Sequence, residues 1–342
     1  MKEIRSNKKN PLIKIFIKLC RVFGFEIIDQ SNFTIPTSNK SINESISVPG
    51  EKSVTLPLGK VEITRPVKSL DIILRTCMSV NMLTQSKKRM FEENKKEYTK
   101  RTLISITKSV NHAKNIFKNI KFKIYMIDHN SEKNQINEMR NILEKSNINF
   151  EILNLRLDKF SSQIKKINEE NKEVTANQKS NMSNIHQSLF LSKEKSEDLT
   201  YFVEDDYIHE TVSLSEILYT YEKIASLTKQ ELIICPTDYP YLYTQSQNTK
   251  IFLGENRHWR QIDQTLCTFL TSKKIVEKYW NELVSMCKLE HYPFEKPLHN
   301  IYKKELCVSP IPSLAVHFTN INSIYGLSPN VDWKKLWEEN KN

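Results

Sequence analysis

Tyr201-Phe202-Val203-Glu204-Asp205-Asp206-Tyr207-Ile208-His209-Glu210 runs an apolar, aromatic segment straight into three adjacent carboxylates. With Leu199 and Thr200 before it, the run reads as a buried strand, and acids at its end belong at the carboxyl edge of an open α/β sheet. Three neighbouring carboxylates at the rim of a core repel one another unless a cation or strong hydrogen-bond donors neutralise them. Hard divalent ions such as Mn²⁺ or Mg²⁺ take oxygen ligands of this kind, with phosphate oxygens completing the shell. The bland alternative is an acidic turn capping the next helix, where the helix dipole favours Asp and Glu.

Outward from this point the pattern alternates. Leu70–Thr76, Phe122–Ile127 and Asn149–Leu155 read as strands before it, and 231–235, 264–270 and 313–318 as strands after it. Helical periodicity fills the stretches between, over Lys87–Asn119, Asn134–Ser146 and a segment ending near Lys193. Strands alternating with helices predict an α/β sheet with its working residues at strand ends. A domain over 66–342 follows, with 1–65 as a separate arm.

That arm is basic. Up to Arg21 there are seven Lys/Arg and one acid, Glu3. Within it, Leu12, Ile13, Phe16, Ile17, Leu19, Cys20 and Phe23 recur at helical spacing, with Lys14, Lys18 and Arg21 on another face. A basic amphipathic helix over 11–24 predicts either peripheral contact with an anionic membrane or packing on the enzyme's own body. Residues 31–54, rich in Ser, Asn, Thr and Pro, read as an irregular connector.

Composition narrows the function. With 51 Lys+Arg against 40 Asp+Glu, the net charge of +11 suits anionic partners. Only five glycines occur, and no two stand close enough for a P-loop or a dinucleotide fingerprint. A nucleotide would therefore be held by metal and side chains. The six cysteines form no Cys-x-x-Cys pair and sit among apolar residues, as buried thiols do in a reducing compartment. No apolar run reaches the roughly 18 residues of a membrane span, and no small-residue cleavage site follows the N-terminal apolar stretch. The expected location is cytoplasmic, peripheral on the inner face of the cytoplasmic membrane if the arm binds lipid.

Strand, acidic triplet and aromatic together resemble the DxD element of GT-A glycosyltransferases, in particular bacterial enzymes of the family-2 kind. The resemblance covers 69–340 in the family's order and implies a mixed, mainly parallel sheet flanked by helices, the nucleotide-diphospho-sugar transferase fold. By that resemblance Arg75 and Thr76 line the nucleotide site, and Asp128 of Asp128-His129-Asn130-Ser131 contacts the base or ribose. Asn181 and Asn184 match the Asn-bearing helix beside the donor. Glu204, Asp206 and the late-strand His317 would hold Mn²⁺ or Mg²⁺, with Asp205 at the donor. The implied activity is hexosyl transfer from a nucleotide sugar to a glycan or lipid-linked acceptor in surface polysaccharide synthesis. Two departures stand out: Glu-Asp-Asp replaces Asp-x-Asp, and the usual Asp-Asp-Gly-Ser is here Asp128-His129-Asn130-Ser131.

Two further segments carry chemistry-bearing residues. Arg257, His258, Trp259 and Arg260 crowd one predicted loop, where Arg pairs suit a diphosphate and a Trp face suits a sugar. The alternative is a surface loop with Trp259 tucked into the core. For the base that deprotonates an acceptor hydroxyl, the candidates are Asp238, Asp263, Glu290 and Glu295, and family order favours the last two. Two rivals share parts of this reading. A GT-A-like nucleotidyltransferase normally carries a Gly-rich first loop, and none follows Thr76. A basic RNA- or membrane-binding protein would interleave basic residues with exposed aromatics. Over Lys87–Arg101 the acids Glu92, Glu93 and Glu97 alternate with lysines instead, as on a solvated helix, so no nucleic-acid partner is expected.

Overall fold

Ser69–Thr76 is buried along its whole length, with Leu70, Ile72, Ile73 and Leu74 filling its middle, as in a central strand covered on both faces. The computed structural model describes residues 11–25, 53–56, 59–79, 89–244 and 248–341. Lys87 and Lys88 of the predicted basic helix lie outside the described residues.

The chain divides into two compact units, 1–64 and 65–342. The first contains helix α1 (Pro11–Val22) and an antiparallel hairpin, β1 (Ser53–Leu56) and β2 (Gly59–Glu62).

The second unit begins with β3 (Ser69–Thr76), α2 (Lys95–Ile116), β4 (Lys121–Asp128), α3 (Lys133–Lys145) and β5 (Asn149–Asn154). The helix predicted from Lys87 begins at Lys95, because the Asn94 side chain caps it by accepting from the Glu97 amide at 3.0 Å. Then come α4 (Leu157–Ser161), α5 (Ala176–Lys195), β6 (Leu199–Glu204), β7 (Tyr207–His209), α6 (Ser213–Thr228) and β8 (Ile233–Ile234). The remainder is β9 (Ile251–Leu253), β10 (His258–Gln261), β11 (Phe269–Ser272), α7 (Lys273–Lys278), α8 (Trp280–Lys288), α9 (Lys296–Tyr302), β12 (Cys307–Ile311), β13 (Ala315–His317) and α10 (Trp333–Glu339).

Nine strands form one mixed sheet in the order β5-β4-β3-β6-β11-β8-β12-β10-β9. The long ladders are the parallel ones, β5-β4-β3-β6, and the antiparallel pairings with β11, β10 and β9 run only two to four residues. This is the α/β class and the mixed, mainly parallel, helix-flanked sheet expected. Helix α5 packs on β3, and α2 packs on α6 and β7.

Register then positions the site. It sets Arg75 of β3 opposite Glu204 of β6, and Thr76 opposite Asp128 of β4, so three strands end at one level. Asp205 and Asp206 form the turn from β6 into β7, and β7 leaves the main sheet to pair with β13. That small ladder brings His317 opposite Tyr207, next to the acids but 111 residues away in sequence.

The sequence reading missed β1, β2, β7, β9, β10 and β12, and Ser53 and Val54, at the edge of the expected irregular connector, belong to β1. The predicted strand 313–318 is confined to β13, in the two-stranded ladder. The tail helix α10 buries Leu336 and Trp337 against Tyr98, Ile208 and Phe318. Phe91 stacks on Trp337 with ring centroids 4.4 Å apart.

Candidate active site

A cavity of about 490 Å³ opens at the carboxyl ends of β3, β4 and β6. Among its walls are Arg75, Thr76, Asn181, Asn184, Glu204, Asp205, Asp206, Glu295 and His317, brought together from five parts of the expected set. Cys77, Arg89, Lys95, His129 and Asn177 also line it, and none of them was a candidate site residue in the sequence. A shallower groove of about 580 Å³ between α2 and the tail helix holds one acid, Glu339, and no acidic cluster.

Each acid of the triplet has its own neutralising partners. Glu204 Oε1 lies 3.1 Å from Arg75 Nη2, off the line of a good hydrogen bond, and Glu204 Oε2 accepts from the Thr268 hydroxyl at 3.3 Å. Asp205 Oδ2 is 3.0 Å from Thr99 Oγ1, 3.4 Å from the Cys77 amide and 3.5 Å from Lys95 Nζ. Lys95 and Thr99 are one helical turn apart on α2, so both reach the same oxygen. Asp206 Oδ2 accepts from Arg89 Nη2 at 3.1 Å and faces His317 Nε2 at 3.4 Å.

These surroundings split the acids electrostatically. Burial raises Glu204 and Asp205 above the ordinary carboxylate range, against the pull of Arg75 and Lys95 respectively. Asp206 goes the other way: burial opposes ionisation, but His317 and Arg89 outweigh it and hold the carboxyl well below the ordinary range. Asp206 is therefore the triplet member whose charged form its surroundings favour most. Burial also disfavours the charged form of His317, and Asp206 more than offsets this, so the imidazole is raised. The His317 ring is held flat against Tyr207, with centroids 4.7 Å apart.

Whether the residues fit a divalent cation turns on this pair. Nδ1 of His317 lies 2.7 Å from the Tyr325 carbonyl, an outer contact that fixes the ring and leaves Nε2 as the ligand atom. Nε2 and Asp206 Oδ2 then face one another as a nitrogen and an oxygen donor, a set that suits Mn²⁺ or Mg²⁺ with phosphate oxygens completing the shell. Glu204, the third ligand expected from the sequence, lines the same cavity. Glu204 turns its oxygens to Arg75 and Thr268, and among the described residues no three acids, histidines or cysteines converge on one point.

Glu295 stands at the start of α9, half-buried on the same cavity. Burial, with the Glu204 charge adding, pushes its carboxyl up to about 7. Asn177, Asn181 and Asn184 lie along one face of α5 and all line the cavity. Asn184 is buried, donating to the Ile127 carbonyl at 3.3 Å and leaving its own Oδ1 without a partner.

Other expected residues lie elsewhere. Asp128 is buried behind the wall, where it accepts from the Thr76 hydroxyl at 2.8 Å, the Ser131 amide at 3.0 Å and the Ser131 hydroxyl at 2.6 Å. Its work is to clamp the two strand ends, while the adjacent His129 reaches the cavity and shares a 2.6 Å bond with Ser180. Glu290 is buried and accepts from Asn168 at 3.0 Å, away from the cavity.

The segment 254–260, expected as a donor-binding loop, is the strand β10 and the turn before it. Glu216 of α6 gathers it: the amides of Glu255 and Asn256 and the indole of Trp259 all donate to its carboxylate, at 3.0, 3.0 and 3.2 Å. A Cβ at Gly254 would come within 2.3 Å of Glu216 Oε1, so only glycine allows this approach. Trp259 is fully buried, Arg257 pairs with Glu210, and Arg260 pairs with a fully buried Asp238 that also accepts from Tyr243 at 2.6 Å. His258 is exposed on the strand. None of these residues, nor Asp238, is at the cavity wall.

No family model matches the chain, and no curated protein matches it. Among solved structures it is similar to a UDP-glucose pyrophosphorylase complexed with UDP-glucose, 9% identical over 81% of this chain and 97% of that one, with a TM-score of 0.37. It is similar to galactosyltransferase LgtC in complex with donor and acceptor sugar analogues, 8% identical over 79% and 95% of the two chains, TM-score 0.38. Mouse xyloside xylosyltransferase 1 is 8% identical over 69% and 76%, TM-score 0.38. These neighbours are transferases, two that move sugars and one pyrophosphorylase. What the site does is argued from its own side chains.

Proposed function

We propose that the chain is a glycosyltransferase of the GT-A type, moving a sugar from a nucleotide-sugar donor to a glycan or lipid-linked acceptor. The observation that carries this reading is one cavity holding both the Asp206–His317 pair and Glu295, a carboxyl poised at about 7. A divalent cation, Mn²⁺ or Mg²⁺, would be held by Asp206 and His317. When bound it supplies charge neutralisation for the departing diphosphate.

Around that point the chain's own groups divide the work. Arg89 and Lys95 bring fixed positive charge to the cavity wall, where low dielectric strengthens their hold on phosphate. Asn177, Asn181 and Asn184 offer uncharged donors and acceptors to the nucleoside or sugar. Glu295 takes the proton from the acceptor hydroxyl, whose oxygen then bonds the anomeric carbon. The bond from that carbon to the diphosphate oxygen breaks, and the electron pair leaves with the diphosphate. A base with its pKa close to working pH is ionised often enough to accept the proton and still basic enough to take it.

The test is a thermal-shift screen against uridine, guanosine, cytidine and thymidine diphosphates and their sugars, with and without Mn²⁺. Stabilisation by one nucleotide that needs the metal and vanishes in Asp206→Ala supports the reading. No shift with any nucleotide, from folded protein, overturns it. Turnover with the donor so identified then separates the two transferase classes. Release of a nucleoside diphosphate marks sugar transfer, and consumption of pyrophosphate with formation of a nucleoside triphosphate marks nucleotidyl transfer.

A further inference from the structure

Helix α1 has no buried residue. Leu12, Phe16, Leu19 and Phe23 are 73, 61, 54 and 70% exposed, and Ile13, Ile15 and Val22 are exposed beside them. At 3.6 residues per turn, Lys14, Lys18 and Arg21 fall within an arc of about 60°, and the apolar side chains occupy the rest of the circumference. A twelve-residue helix alone in water is marginal, so a sequence that writes one so cleanly calls for a surface to cover it.

We propose that α1 is an interfacial anchor that lies in an anionic lipid surface, its apolar side chains entering the acyl boundary and its basic arc facing the headgroups. Charge selects this occupant. The first 21 residues hold seven Lys/Arg and one acid, and the whole chain carries +11, so a second copy repels where an anionic surface attracts. Length selects the mode. Twelve residues fall short of the roughly 20 that cross a bilayer, and among the described residues no helix is long and apolar enough to span one. A wide apolar face with a narrow basic one suits lying in the interface rather than resting on it by charge alone. The inference is independent of the sugar-transfer reading, since it rests on the residues of α1 alone.

The experiment is co-sedimentation of the full chain with sucrose-loaded vesicles, of phosphatidylcholine alone or of phosphatidylcholine with phosphatidylglycerol. The expected result is binding to the anionic vesicles and little to the neutral ones. The double variant Lys14→Glu, Lys18→Glu is expected to lose at least about tenfold in partitioning, and Phe16→Ser with Leu19→Ser to lose a similar amount. None of the four substituted residues is buried, so both variants should melt at the wild-type temperature, which separates lost anchoring from lost folding. Equal binding to neutral vesicles, or unchanged binding by both variants, overturns the proposal. So does a dimer in gel filtration that the serine variant dissolves while vesicle binding stays absent.

Discussion

At the ends of β3, β4 and β6, Arg75, Arg89 and Lys95 face Glu204, Asp206 and Asp205 around an open cavity. On and beside β10, Arg257 and Arg260 close onto Glu210 and Asp238, with Asp238 fully buried and Trp259 sealed into the core. Both regions obey the same rule, that a buried carboxylate must be matched by a cation or by hydrogen bonds. They differ in the space left over. Around the triplet, the strand ends and the face of α5 stand apart, so the charges remain available to a ligand. Around β10, Glu216, Tyr243 and the neighbouring backbone take up the polar groups, and the same residue types become ties in the fold. An arginine-rich segment is thus no evidence of a phosphate site until its partners are known.

The largest expected difference between the two regions is in catalysis. Asp206→Ala should abolish metal-dependent nucleotide stabilisation and lower turnover by at least about 10³-fold, whereas Arg257→Ala, once folded, should keep the nucleotide shift. Loss of nucleotide binding in Arg257→Ala protein of wild-type stability would erase the distinction. Next, Glu295→Gln should lower kcat by about 10²- to 10⁴-fold. In the wild type, kcat/KM should rise with pH through about 7, as the Glu295 carboxyl ionises, and the Gln variant should lose this limb. A variant that keeps both rate and pH profile removes Glu295 as the base.

The β10 region answers in stability instead. Arg260→Ala leaves Asp238 buried beside Tyr243 alone and should cost about 3–5 kcal/mol in denaturant unfolding, with KM for the donor unchanged in the folded fraction. Glu295 gives a smaller signal of defined sign. Its folded-state carboxyl is raised to about 7, above its unfolded value. The stability it contributes is complete below the unfolded pKa and is lost as pH rises through about 7. Glu295→Gln should therefore melt a few degrees higher than wild type near pH 8 and no higher near pH 4. Smallest of all, His258→Ala, at an exposed position, should stay within about 0.5 kcal/mol of wild type.

Much of the sheet was legible because burial writes itself locally. Leu70–Thr76, Phe122–Ile127 and Leu199–Val203 are mostly apolar or aromatic segments of strand length, and each lies in a strand of the parallel half. The short antiparallel strands were not legible. His258–Gln261 is a strand only because β9 and β12 pair with it, and its own residues carry no alternation that would announce it. The basic stretch near Lys95 was read as solvated because its acids and lysines alternate. Lys95 nonetheless turns into the cavity, since Asp205, 110 residues away in sequence, stands over that turn of α2.

Sequence by itself determined that a strand ends in Glu204-Asp205-Asp206, that α5 carries asparagines on one face, and that the first turns of the chain are basic and amphipathic. These depend on the order and spacing of neighbouring residues. Tertiary structure decided which acid has its charge most favoured, which histidine faces it, and which arginines are spent inside the fold. Those depend on desolvation and on charges within a few ångströms, and such neighbours come from segments a hundred residues apart.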